Sequence, residues 1–144
     1  MLEEREARTL LTAAMDASRR AYAPYSGFPV GAALLTTGGH VFTGCNVENA
    51  SFGLTVCAER VALWTAVAAG HRHVQAVAVV GPKAPRLTPC GACRQVLNEF
   101  VPPDHDIIII LDDDGAPQQM PLSALLPHAF GPRDLDHTDS VVSS

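Results

Sequence analysis

Two short stretches far apart in the chain, Cys57-Ala58-Glu59-Arg60 and Pro89-Cys90-Gly91-Ala92-Cys93, limit the possible folds more than any other feature of the sequence. Together they offer three thiols, one carboxylate and one guanidinium, and each stretch sits where a helix begins. A thiol ionises more readily at a helix N-terminus, where unpaired backbone N–H groups and the helix dipole favour negative charge. Cys90 and Cys93, three positions apart, fall on one helical face. Three thiolates that converge would hold zinc and leave its fourth tetrahedral position to water, whose pKa zinc lowers from about 15.7 to about 7. Three negative sulfurs weaken that acidifying power. Arg60, three residues after Cys57, can turn its guanidinium back on the sulfurs and withdraw charge from them. Glu59 as a further ligand would displace the water, so it reads as the proton carrier, a role worth on the order of 10²–10⁴ in rate.

For the two stretches to meet, both helices must start from the same edge of a sheet, and the pattern of the chain provides this. Apolar residues at helical spacing from about Leu2 to Ala21 predict an amphipathic helix ended by Ala23-Pro24. Phe28 to Thr36 reads as a strand, with Thr37-Gly38-Gly39 closing a hairpin onto a second strand, His40 to Cys45. Asn46 to Val56 is a loop, a candidate for substrate contact. Cys57 to Ala69 is a helix stopped by Gly70, and Val74 to Val80 a buried strand. Gly91 to Phe100 is a third helix, Asp106 to Leu111 an Ile-rich strand, and Gln118 to Met120 an edge strand. A short helix, Leu122 to Leu126, closes the series. The order α-β-β-α-β-α-β-β-α predicts an α/β fold, a three-layer α-β-α sandwich on a mixed five-stranded sheet. Helices that follow strands begin at the strands' carboxyl ends, which brings Cys57 and Cys90 together.

Charge and length narrow the function classes. One domain over residues 1–134 suits a chain of 144 residues, followed by a polar tail over 135–144. A formal charge of -5 with only ten scattered basic residues disfavours a nucleic-acid partner, which needs clustered Lys and Arg against phosphates. A small neutral substrate fits better. No pure apolar run, Ile107 to Leu111 included, is long enough to span a bilayer, so no membrane role is expected. The acidic start Met1-Leu2-Glu3-Glu4 lacks the form of a secretory signal, so the expected location is the cytoplasm, where thiols stay reduced.

Blander readings stand beside these. A CxxC pair alone also fits a redox couple or half of a closed zinc knuckle, which could recruit Cys45, the one remaining thiol. Arg60 could lie on a solvated helix face, Phe28 and Phe130 could be core, and Asn46 and Glu48 plain loop residues. His71, His73 and Asp112 to Asp114 read as surface.

Cys57-Ala58-Glu59 followed by Pro89-Cys90-Gly91-Ala92-Cys93 matches the signature of the zinc-dependent nucleobase deaminases in their three-cysteine form. Ala21-Tyr22-Ala23-Pro24-Tyr25-Ser26-Gly27-Phe28-Pro29-Val30-Gly31, Gly44-Cys45-Asn46-Val47-Glu48-Asn49-Ala50-Ser51, Cys93-Arg94-Gln95-Val96 and the segment Leu125 to Pro132 resemble the small homotetrameric cytidine deaminases. That resemblance implies one zinc ion per subunit on Cys57, Cys90 and Cys93. It implies that Glu59 takes a proton from the zinc-bound water and passes it to pyrimidine N3, hydroxide attacks C4, and ammonia leaves. The reaction would be hydrolytic deamination of cytidine and deoxycytidine to uridine and deoxyuridine, in pyrimidine salvage. It also implies that Asn46 and Glu48 bind the ribose 3′-hydroxyl, Phe28 packs on the base, and the backbone at Ala58 holds the ring oxygen. Phe130 would reach a neighbouring subunit's site in a homotetramer. Phe52 stands where family members usually carry tyrosine, which removes a hydroxyl near the substrate loop. A deaminase of another cytosine-containing nucleoside is the alternative within this chemistry, and a non-catalytic zinc or redox module the alternative outside it.

Overall fold

The computed structural model describes residues 1–135. Helix α1 (Glu4–Ser18) buries Ala7, Leu10, Leu11, Ala14, Ala17 and Ser18, the helical stripe that the sequence shows. A hairpin of β1 (Gly31–Thr36) and β2 (Val41–Cys45) follows, then α2 (Ala58–Ala68), β3 (Val74–Val80) and α3 (Gly91–Asn98). The chain continues through β4 (Ile108–Asp113), β5 (Ala116–Pro121) and a single turn, α4 (Leu122–Leu125). The five strands form one sheet in the order β2-β1-β3-β4-β5. Every neighbouring pair is antiparallel except β3 and β4, whose parallel pairing requires the crossover that α3 supplies. Among the described residues no helix is long and apolar enough to cross a membrane.

Side chains alternate across the strands, so one sequence supplies two cores. Ala33, Ala76, Ala78, Val80 and Ile110 pack against α1. Ala32, Leu34, Val77, Val79, Ile109 and Leu111 pack on the other face against Ala58, Ala62, Leu63 and Ala66 of α2, Leu97 of α3 and Leu122 of α4. The result is the expected α-β-α sandwich. Each fully buried leucine or isoleucine, such as Leu34, Leu63 or Ile109, contributes about 1.5–3 kcal/mol relative to exposure.

Two glycines permit the close approach of the layers. A Cβ on Gly31 would lie 1.8 Å from the Ala14 carbonyl oxygen of α1. One on Gly44 would lie 2.5 Å from both the Ala58 oxygen and the Ala62 nitrogen, so the first turn of α2 rests directly on β2. Gly31 also marks the edge that matters for the site: it pairs with Cys45 on one side and Val80 on the other. The chain therefore leaves β2 and β3 at one edge of the sheet, as the sequence requires for α2 and α3 to start together.

Strand limits differ from expectation for local reasons. Residues 28–30 are extended but outside β1, because their backbone partners are a side chain and a loop: Asn46 Oδ1 accepts from Val30 N–H at 2.9 Å and Asn46 Nδ2 donates to the Phe28 carbonyl at 2.9 Å. Asp106 does not start β4, since its carboxylate accepts from Ile107 N–H and, across the chain, from Ser123 N–H. A one-turn segment, Pro132–Leu135, ends the described chain. The rest of the expected polar tail, 136–144, lies outside the described residues.

Candidate metal and catalytic site

Cys57 precedes α2 in extended conformation (φ -74°, ψ 155°), and its carbonyl accepts from the Arg60 and Val61 N–H groups, each at 3.1 Å. Cys90 takes the same place before α3, and Cys93 sits in that helix's first turn. The three sulfurs come within 4.8 Å of one another, with Cys57 and Cys90 3.9 Å apart. Tetrahedral zinc with bonds of about 2.3 Å places its sulfurs about 3.8 Å apart, so the donor set fits that ion in type and spacing. Among the described residues no fourth thiol, imidazole or carboxylate joins the group. Cys45, at the end of β2, is outside it.

The electrostatics of the cluster follow from burial. Cys93 is fully buried, Cys57 half-buried and Cys90 exposed. Cys57 and Cys93 compete for one proton. A hydrogen bond from Cys93 and, against the cost of burial, the Arg60 guanidinium bring the Cys57 thiol down to about 5. The same contact with Cys57, together with burial, pushes the Cys93 thiol up. Arg60 Nη2 donates to Cys57 Sγ at 3.3 Å, so Arg60 does not lie on a solvated face; among the described residues its buried Nε has no partner. Glu59, only 4% exposed, has its carboxyl raised to about 7, chiefly by burial and further by the Cys57 charge.

Of the substrate-contact candidates, Asn46, Glu48 and Phe28 are brought together through the 25–30 segment. Asn46, 9% exposed, is the tie described above between residues 28 and 30. Glu48 accepts from the Tyr25 and Ser26 N–H groups at 3.0 and 3.1 Å and from the Ser26 hydroxyl. That hydroxyl, against the cost of desolvation and with the help of the two N–H groups, holds the carboxyl below its ordinary value. Phe28 is half-buried, and its ring lies 3.5 Å from where a Cβ on Gly81 would stand. Ala58 is fully buried at the start of α2, and among the described residues its N–H makes no hydrogen bond. Phe130 is 58% exposed, far from core filling, and its carbonyl accepts from Gln95 Nε2 at 2.9 Å and Asn98 Nδ2 at 3.1 Å. Phe52 is 74% exposed and meets Tyr25 edge to face at 5.9 Å. His71 packs with tilted rings against His40 and Phe42. Two cavities, of about 160 and 400 Å³, lie away from all these residues.

Residues 4–109 match the model of the cytidine and deoxycytidylate deaminase zinc-binding region. The chain belongs to that deaminase family. It is 47% identical over 127 residues to a cytidine deaminase of Halalkalibacterium halodurans, spanning 88% of this chain and 96% of that protein. A cytidine deaminase of Mycobacterium tuberculosis is 44% identical over 122 residues, spanning 85% and 87%. Among solved structures, a cytidine deaminase of Burkholderia pseudomallei superimposes with a TM-score of 0.78 at 50% identity, covering 85% of this chain and 97% of that one. The mixed five-stranded sheet with helices on both faces is the fold of these deaminases, and zinc is the metal of the family region that contains Cys57, Glu59, Cys90 and Cys93.

Several functional candidates lie outside what the sequence reading singled out. Ser26 orients Glu48, Gln95 and Asn98 hold the Phe130 backbone, and Arg94 bonds three oxygens beside the cysteine loop. Only the polar character of these side chains could have signalled them, because Glu48, Leu125 and Phe130, which they reach, are distant from them in sequence.

Proposed function

We propose that the protein is a cytidine deaminase, which hydrolyses cytidine and deoxycytidine to uridine and deoxyuridine with release of ammonia. The observation that carries this reading is the convergence of three sulfurs from two helix starts beside a buried carboxylate. Cys57, Cys90 and Cys93 would hold the zinc ion, which when bound supplies Lewis-acid activation of water. Arg60 draws charge from the Cys57 sulfur, and the helix starts of α2 and α3 stabilise the thiolates. Glu59, with its carboxyl raised to about 7, accepts the two protons of the attacking water in turn, delivering the first to pyrimidine N3 and the second to the departing amino group. The Ala58 N–H takes the ring oxygen and Phe28 packs on the base. Asn46 and Glu48, already fixed by the 25–30 segment, hold the ribose hydroxyl. A site built to bond a hydroxyl rejects an analogue lacking it by roughly 10⁴–10⁵, so free cytosine is expected to be a poor substrate.

The reading extends to the assembly. Phe130, exposed on the single chain and anchored by α3, would close a neighbouring subunit's site in a homotetramer. Trp64, 50% exposed on α2, supports burial between copies, since large aromatics favour interfaces. One domain over 1–134, a cytoplasmic location and a place in pyrimidine salvage complete the proposal. Ammonia release measured side by side on cytidine, deoxycytidine, dCMP and a short single strand tests it. Turnover of the two nucleosides alone supports the reading, and turnover of the strand or the nucleotide in preference to them overturns it.

A further inference from the structure

Arg94 is half-buried, lies one residue past Cys93, and among the described residues has no carboxylate partner. Its guanidinium instead bonds three neutral oxygens on two segments. Nε donates to the Pro89 carbonyl at 2.7 Å, Nη2 to Thr88 Oγ1 at 3.2 Å, and Nη1 to the Leu125 carbonyl of α4 at 2.9 Å. A planar fork with five donors suits this task, and a point charge does not.

The loop it holds has little else. Among the described residues, Leu87, Thr88 and Pro89 make no other hydrogen bond. Pro89 is buried and lacks an N–H, so its carbonyl has no hydrogen-bond partner without Arg94. That carbonyl precedes Cys90, the most exposed of the three cysteines and the one whose sulfur is fixed least by burial.

We propose that Arg94 is the positioning residue of the metal-holding loop: its fork pins Thr88 and Pro89 to α4 and thereby fixes where the Cys90 sulfur stands relative to Cys57 and Cys93. This inference rests on the zinc reading of the three sulfurs. It also joins the metal loop to the C-terminal segment. Arg94 grips Leu125, and Gln95 and Asn98 grip Phe130, so the helix that carries Cys93 holds both. A lysine at 94 keeps the charge but cannot span acceptors on two segments.

The test compares wild type, Arg94→Lys and Arg94→Met as purified holoenzymes, reading zinc transfer to a colorimetric chelator and the absorption bands of the cobalt-substituted proteins. Replacing a residue that orients metal ligands costs about 10–100-fold in metal affinity. Both variants are therefore expected to release zinc about tenfold faster or more, with shifted cobalt–thiolate bands, and lysine should not restore wild-type behaviour. Wild-type release and spectra in both variants overturn the inference, even if their melting temperatures fall, since that pattern marks a merely structural bond. Lysine restoring both readouts also overturns it, because charge alone would then suffice. If Arg94→Met does not fold, Thr88→Val removes one acceptor and is expected to shift the cobalt bands; unshifted bands beside a wild-type Arg94→Lys overturn the inference. Wild-type protein that binds no zinc at all defeats the site reading itself, a failure distinct from that of the Arg94 clamp.

Discussion

At the scale of single residues, the proposed site separates metal holding, by Cys57, Cys90 and Cys93, from proton transfer, by Glu59. Glu59→Gln keeps the shape of the side chain and leaves the sulfurs untouched, so zinc content is expected to stay at one per chain while turnover falls on the order of 10²–10⁴. Metal analysis beside a steady-state assay checks this, and near-normal ammonia release would remove Glu59 from its role. Asn46→Ala has a different signature. It strips partners from the Val30 N–H and the Phe28 carbonyl, so chemical denaturation is expected to show a loss of about 1–3 kcal/mol together with a raised KM. Glu48 adds a pH dependence whose sign follows from its hydrogen bonds. Its folded carboxyl lies below the ordinary value of 4.5, so its contribution to stability is complete above that pH and is lost as pH falls through the lower folded value. Glu48→Gln should flatten the acid limb of the melting-temperature profile; an unchanged limb would show that the Ser26 contacts carry no such linkage.

At the scale of elements, the geometry depends on how closely α2 sits on β2. Gly44→Ala places a methyl 2.5 Å from two backbone atoms of α2, which cannot turn aside as a flexible side chain could. Overpacking of this kind costs about 1–3 kcal/mol. Because the same turn begins with Cys57, the variant is expected both to melt earlier and to hold zinc less tightly; a melting shift with unaltered zinc retention would uncouple β2 from the metal site. The elements themselves were largely legible in the sequence. The period of α1, the apolar runs of β3 and β4, and the helix starts at Cys57 and Cys90 all follow from local patterns that the fold obeys. What was not legible is bonding between distant segments: Asn46 reaching residues 28 and 30, Asp106 reaching Ser123, and Arg94 reaching Leu125. Local patterning carries no register between such partners, so strand ends and positioning residues emerge only when the chain closes on itself.

At the scale of the whole molecule, one chain leaves Cys90, Phe52, Trp64 and Phe130 exposed. The proposed homotetramer would cover these side chains, and sedimentation is then expected to give about four times the 15.2 kDa of one chain. If Phe130 serves a neighbour's site, mixing Glu59→Gln chains with Phe130→Ala chains should restore part of the activity that each lacks alone. Mixtures no more active than the sum of the two would confine each site to its own chain. The central claim remains that Cys57, Cys90 and Cys93 would hold a zinc ion and that Glu59 beside them would carry the protons of the hydrolysis. Its most direct test is the ultraviolet change of cytidine to uridine, followed before chelation, after it, and after zinc is restored. Activity that disappears with the metal and returns with zinc is the expected result, and conversion that continues undiminished in fully zinc-free protein would contradict the account.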